Sequence, residues 1–319
     1  MHYFEIIHRV SFMIQRLLCF FLLVLLTSVQ AQQVADTTFN PPIAKPAYAS
    51  SAGPAVMLDE AHFNFHTATG RYLSFAQLLR RDGYVVQAST TRFNKESLGK
   101  GKILVIANAL AEINSQGNWS LPNPSAFADD EIAAVRDWVQ EGGSLLLIAD
   151  HMPFAGAVEK LGAAFGIRFS NCFAMFAEQS RGATFAFHRS DGRLAQHPII
   201  NGRTTEERID SLITFTGSAF QVDGGAQPLF VLDSSQVLLL PETAWQFTAE
   251  TPRLPAAGWL QGATLKFGKG RVAVFGEAAM FSAQLAGANR TPVGMNSPNA
   301  PQNYRFLLNV MHWLSGLLD

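Results

Sequence analysis

The run Trp138-Val139-Gln140-Glu141-Gly142-Gly143-Ser144-Leu145-Leu146-Leu147-Ile148-Ala149-Asp150-His151 contains a whole structural sentence. Upstream, Ile132, Val135, Trp138 and Val139 recur at helical spacing, so residues 129–141 predict an amphipathic helix. Gly142-Gly143 stops it, since glycine readily takes the left-handed backbone that ends helices. The apolar run 144–149 then reads as a strand buried on both faces, ending abruptly in Asp150-His151.

The same grammar recurs along the chain. Residues 55–58 form an apolar run ending in Asp59-Glu60, and 84–86 follow an amphipathic segment at 74–81. Residues 103–107 end at Asn108, a helical pattern covers 155–165 after Pro153, and 271–275 end in Gly276-Glu277. A last helix is predicted over 302–317 through Phe306, Val310, Trp313, Leu314 and Leu317. Continuous apolar strands alternating with helices predict an α/β fold, a flavodoxin-like parallel-sheet sandwich covered on both faces. Between about 167 and 257 the pattern shifts to short strand-like runs punctuated by Gly and Pro, which predicts a β-rich insertion. The domain is therefore expected over 54–319.

The N-terminal segment obeys different rules. Arg9 and Arg16 precede the apolar run 17–26, and Val29 and Ala31 supply compact residues before a cut after Ala31. That order predicts a signal peptide over 1–31 and an exported, periplasmic or secreted protein, with membrane association only if the leader stays uncleaved. The Pro-, Ala- and Ser-rich stretch 32–53 reads as an extended linker. Cys19 falls inside the leader, which leaves Cys172 as the one other cysteine and permits neither an intrachain disulfide nor a cysteine-rich zinc site. The chain of 319 residues carries 24 Lys+Arg against 25 Asp+Glu, for a net charge of −1. That balance argues against a nucleic-acid partner, which calls for a basic stripe.

With charged residues only 15% of the chain, against roughly 25% in an average globular protein, the position of each ionisable group is informative. Three strand ends collect them, and in open α/β sheets the ligand crevice lies beyond the carboxyl ends of the strands. In the first, Glu60, His62, Asn64 and His66 alternate with apolar residues. On an extended strand the two histidines would be about 13 Å apart; in a helical turn they would sit about 6 Å apart on one face. The second geometry suits a divalent metal such as zinc, held by Glu60, His62, His66 and Asp150. The competing reading is a hydrogen-bonded turn in which the histidines cap backbone groups. Asp150, His151 and Glu277 are candidate catalytic groups, as general bases or water activators, although Asp150 could instead cap the following helix. The long polar loops 108–128 and 286–302 adjoin strand ends, so Asn64, Asn108, Trp119 and Asn296 are candidate ligand contacts. His312 reads as a structural histidine on the last helix.

The segments Val56-Met57-Leu58-Asp59-Glu60-Ala61-His62, 138–150 and Gly270-Arg271-Val272-Ala273-Val274-Phe275-Gly276-Glu277 together resemble the class I glutamine-amidotransferase-like superfamily. The resemblance is closest to a bacterial envelope branch related to the gliding-motility and intraflagellar-transport domains. It implies the scaffold and its crevice. Catalytic members of the superfamily carry a nucleophilic Cys at a strand-to-helix elbow; the matching stretch here, Ala149-Asp150-His151-Met152, has neither Cys nor Ser, so thiol-based glutaminase chemistry is not expected. Two functions remain from the sequence. One is a metal-dependent hydrolase acting on an envelope or extracellular substrate. The other is a non-catalytic module binding a small molecule, a glycan or an envelope partner, as the resemblance implies for relatives without the nucleophile.

Overall fold

A computed structural model describes residues 33–178 and 182–319; the leader expected over 1–31 lies outside the described residues. The central sheet has nine strands, labelled here in chain order. Four of the predicted runs form β1 (Ala55–Asp59), β2 (Val85–Ser89), β3 (Ile103–Ala107) and β4 (Ser144–Ile148). They lie parallel in the order β2-β1-β3-β4, and β9 (Gly270–Phe275) joins β4 in parallel far downstream.

β1, β3, β4 and β9 bury both faces, which is why their sequences run apolar without alternation, whereas the edge strand β2 leaves Val85, Gln87 and Ala88 exposed. Val56, Leu58, Val105, Leu146, Ile148 and Phe275 pack on one side with helices α1 (Leu73–Arg81) and α4 (Asn303–Leu314). Met57, Leu104, Ile106, Leu145, Leu147 and Val274 pack on the other with α2 (Asp129–Gln140) and α3 (Phe154–Ala163). The period of two along each strand assigns successive side chains to opposite layers.

Beyond β9 the parallel pattern ends, and the expected parallel-sheet sandwich is corrected to a mixed α/β architecture. β8 (Leu260–Phe267) runs antiparallel to β9 because only Gly268 and Lys269 separate them, a hairpin connection that no parallel pair can use. Gly268 makes this turn at φ 58°, where a Cβ would press within 2.6 Å of the Gln140 carbonyl. β6 (Ala219–Val222) and β5 (Ile167–Ser170) extend the sheet antiparallel past β8, and β7 (Gln227–Val231) also pairs with β8. The β-rich stretch 167–257 thus contributes three strands to the main sheet. It also forms two small antiparallel sheets, Phe173–Phe176 with Gln236–Leu239 and Arg253–Pro255, and Thr184–His188 with Ser211–Phe215.

The stretch read as a linker lies along this body. Gln33–Ala35 pairs with Ala283–Ala286, the Arg81 guanidinium donates to the Pro41 carbonyl at 2.8 Å, and Ala47 N–H donates to Asp82 Oδ1 at 2.8 Å. No helix among the described residues is long and apolar enough to cross a membrane.

Candidate functional site

A cavity of about 260 Å³ opens at the carboxyl ends of the parallel strands. The turn after β1 delivers His66, the turn after β3 delivers Asn108, and the end of β4 delivers Asp150 and His151. Asn108 is the joint between them. At φ 51° it sits in the left-handed region that Asn tolerates better than most residues. Its Oδ1 accepts Asp150 N–H at 2.9 Å, its carbonyl accepts Phe65 N–H at 2.9 Å, and its own N–H donates to the Ile148 carbonyl at 3.0 Å.

Asp150 and Glu277 form a buried carboxylate pair. Glu277 is fully enclosed, with Oε1 accepting Ala279 N–H at 2.5 Å and Oε2 accepting Met280 N–H at 2.8 Å. Burial, followed by the charge on Asp150, pushes the Glu277 carboxyl well above its ordinary range. Burial also raises Asp150, against the opposing pull of His151, the Ala278 N–H and Asn108. Glu277 is accordingly the member of the pair shifted further toward its neutral form. Asp150 faces the cavity, and Glu277 is not among its lining residues.

The two histidines at this site differ in kind. His66 is buried against Tyr72 with ring centroids 4.4 Å apart, and burial, then the nearby Arg71 charge, pull its pKa down to about 3. It is a neutral imidazole at any physiological pH. His151 lies flat on Phe173 at 4.3 Å and 13° and donates Nδ1–H to the Met152 carbonyl at 2.6 Å, a bond that fixes its tautomer.

Aromatic side chains form the walls. Trp119 meets Phe65 and Phe154 edge-on at 5.4 and 5.2 Å, and Trp245, 44% exposed, closes on the edge of His151 at 4.8 Å. Thr184, Thr216 and Gln284 complete the rim. The loop that presents Trp119 is pinned to the loop of Trp245 by Leu121 N–H to the Glu242 carbonyl at 2.8 Å and Ala244 N–H to the Trp119 carbonyl at 2.9 Å.

Of the residues singled out from sequence, His66, Asn108, Trp119, Asp150 and His151 line this cavity, with Glu277 coupled electrostatically to Asp150. The rest are elsewhere. His62 is clamped between carboxylates, Nδ1 to Asp59 at 2.9 and 3.0 Å and Nε2 to Glu131 at 3.0 Å, beside a separate hollow. Asn64 donates to Asp59 at 2.9 Å and accepts His62 N–H at 3.0 Å, so this segment is a hydrogen-bonded turn, in which His62 bonds carboxylates rather than capping backbone groups as the competing reading had it. Glu60 accepts Ala68 N–H at 2.7 Å, and Asn296 donates to Asp36 and the Gln284 carbonyl, each at 3.0 Å. The expected set of Glu60, His62, His66 and Asp150 therefore does not converge on one ion. Among the described residues no group of three His, Cys, Asp or Glu side chains is placed to hold a metal. The physical reason is that both ring nitrogens of His62 are already committed.

Sequence reasoning missed Phe65, Phe154 and Trp245. The first two sit beside residues that were singled out, but Trp245 lies in the irregular 167–257 stretch, where no periodicity marked it.

No family model matches the chain, and no curated protein matches it. Among solved structures, the mmIFT52 N-terminal domain aligns with a TM-score of 0.56 at 14% identity, covering 82% of this chain and 97% of that one. The likeness is one of fold. A protein described as ThuA-like from Bacteroides uniformis aligns at TM-score 0.45 and 11% identity, covering 84% of this chain and 93% of that one. The cytoplasmic protein STM1381 from Salmonella typhimurium LT2 aligns at 0.45 and 16%, covering 82% and 98%. The resemblance to intraflagellar-transport domains expected from sequence thus holds at the level of fold, which by itself assigns no activity.

Proposed function

We propose that this protein is an exported binding module for a glycan or similar polyhydroxylated small molecule, built on an amidotransferase-like scaffold without the nucleophile. The observation that carries the reading is the make-up of the cavity at the strand ends. Trp119 and Trp245 offer apolar surface, backed by Phe65 and Phe154, while Asp150, Asn108, Thr216 and Gln284 bring hydrogen-bonding groups to the same cavity. A sugar ring presents both kinds of surface at once, an apolar C–H face and an edge of hydroxyls, and recognition sites pair them in this way.

Binding fits better than glycoside hydrolysis. Hydrolysis calls for two carboxylates flanking the scissile bond. Among the described residues Asp150 is the one carboxylate lining the cavity, and Glu277 is spent on two backbone N–H groups behind it. A metal-assisted reaction draws no support from the donor set, which is dispersed as described above. Export rests on the leader expected over 1–31, and places the ligand in the envelope or outside the cell.

The test is a titration of the purified chain with a panel of mono- and oligosaccharides, following tryptophan fluorescence. A saturable change is expected that is insensitive to chelator and weakened at least tenfold by Trp245→Ala, about 1.4 kcal/mol. Binding abolished by chelator would instead favour the metal-dependent reading. A panel without any saturable response would overturn the proposal.

A further inference from the structure

Backbone strain among the described residues concentrates at the strand ends. Six residues other than glycine take a left-handed backbone there or elsewhere: Ser51, Phe63, Asn108, Thr216, Trp245 and Arg290. Asn108, Thr216 and Trp245 line the cavity described above, and Phe63 lines the separate hollow beside His62. Asn adopts this region readily. In a bulky or β-branched residue it is an outlier that the surrounding structure must hold in place, and such outliers gather at binding sites. Phe63 also shares its exposure with Trp245. The two are 49% and 44% exposed on turns at φ 48° and 66°, so packing in the core accounts for neither.

The hollow and the cavity are neighbours along one pair of backbone segments. Phe65 N–H donates to the Asn108 carbonyl on the cavity side, and Leu110 N–H donates to the His62 carbonyl on the hollow side, each at 2.9 Å. Phe63 and Phe65 are two residues apart, so their Cα atoms are separated by at most about 7 Å. The loop between β3 and α2 serves both spaces, bringing Trp119 to the cavity and residues 125–128 to the hollow.

The hollow, of about 410 Å³, repeats the cavity's mixture of surfaces. Phe63 and Leu110 offer apolar surface, and Arg92 and Glu112 bring polar groups. Arg92 bonds Asp130 and Glu131 through Nη2, and its guanidinium carries N–H groups on Nε and Nη1 besides.

We propose that the ligand is a glycan chain rather than a single ring, with one unit held in the cavity and the next units lying across Phe63 in the hollow. This rests on the glycan-binding reading of the cavity. Phe63 is then a second aromatic platform, kept on its strained turn because that turn presents the ring to the ligand.

The test uses three β-1,4-linked series, of glucose, N-acetylglucosamine and mannose, each from monosaccharide to hexasaccharide, titrated into the full chain by calorimetry. In a series that binds, affinity is expected to rise at least about tenfold with length. Phe63→Gly keeps the turn, since glycine takes a positive φ without strain. It is expected to erase the gain with length while leaving monosaccharide affinity unchanged and the urea unfolding midpoint no lower. Phe63→Tyr retains an aromatic ring and is expected to retain the gain. Equal affinity at every length, or a gain untouched by Phe63→Gly, would overturn the extended site and leave the cavity reading standing. A lowered midpoint in Phe63→Gly, or loss of the gain in Phe63→Tyr, would assign Phe63 to the fold instead and overturn the proposal. No binding at any length in any series would overturn both readings together.

Discussion

Replacing His62 with alanine tests whether this residue is a structural clamp or a metal ligand in waiting. The ring is 5% exposed and sits between Phe93 and Phe127, with centroids 4.6 Å from each. Its nitrogens bridge Asp59, which is fully buried, and Glu131. Burial alone would lower its pKa, but the hydrogen bonds and charges of Asp59 and then Glu131 outweigh it and raise it. Without the ring, Asp59 retains only Ala61 N–H at 3.1 Å and Asn64 Nδ2 at 2.9 Å, inside a space the imidazole no longer fills. Removing one partner of a buried ion pair costs about 3–5 kcal/mol. With a urea slope of roughly 3 kcal/mol/M, the midpoint falls by about 1–1.7 M. The sign with pH is also fixed. A group whose folded pKa is raised contributes fully below its unfolded value and loses that contribution as pH rises through the folded value. The deficit of His62→Ala, measured by urea unfolding across a pH series, is therefore largest in mild acid and shrinks on the alkaline side. A deficit below about 1 kcal/mol, or one that grows with alkalinity, would refute the clamp.

Glu131 gives the opposite pH signature. Burial would raise it, but bonds from Arg92, Ala128 N–H, His62 and Phe93 N–H hold it down to about 2. Its contribution is present above about 4.5 and is lost as pH falls toward 2, so Glu131→Gln removes part of the acid sensitivity seen in unfolding below that pH. Cys172, fully buried and pushed by burial up to about 11, is expected to resist a thiol-reactive dye at mildly alkaline pH in the native chain and to react completely in denaturant. Glu277→Gln leaves Ala279 or Met280 N–H facing an amide N–H₂, and costs about 1–3 kcal/mol in urea unfolding.

The parallel half of the sheet was legible because its rules are local. Leu145, Leu146, Leu147 and Ile148 are apolar in succession since alternate members face α1 and α4 or α2 and α3, and Gly142-Gly143 stops the helix before them. The antiparallel half was harder to read. β8 mixes buried positions with Lys266 at its exposed end, and β5 and β6 are four residues each, too short to carry a period. Their place depends on pairing partners distant in sequence, such as Phe169 with Phe220, which no window reveals.

The same distinction runs through the site. Strand ends predicted the position of Asp150, His151 and Asn108, because the carboxyl edge of a parallel sheet is a property of the fold, while Glu277 stands outside the cavity lining. What they could not supply is direction. His62 and His66 are four residues apart, yet Phe63 at φ 48° turns the backbone between them. One ring is sent to Glu131 and the other to Tyr72 and the cavity. Both helical and extended spacing assumed a uniform backbone, and the turn has none. The result splits one apparent metal motif into a structural clamp and a neutral imidazole lining the cavity. It follows that the chemistry of this cavity is set by an uncharged histidine and the buried Asp150 carboxyl, with Glu277 behind it held well above its ordinary range, and that both offer acceptors for hydroxyl hydrogen bonds.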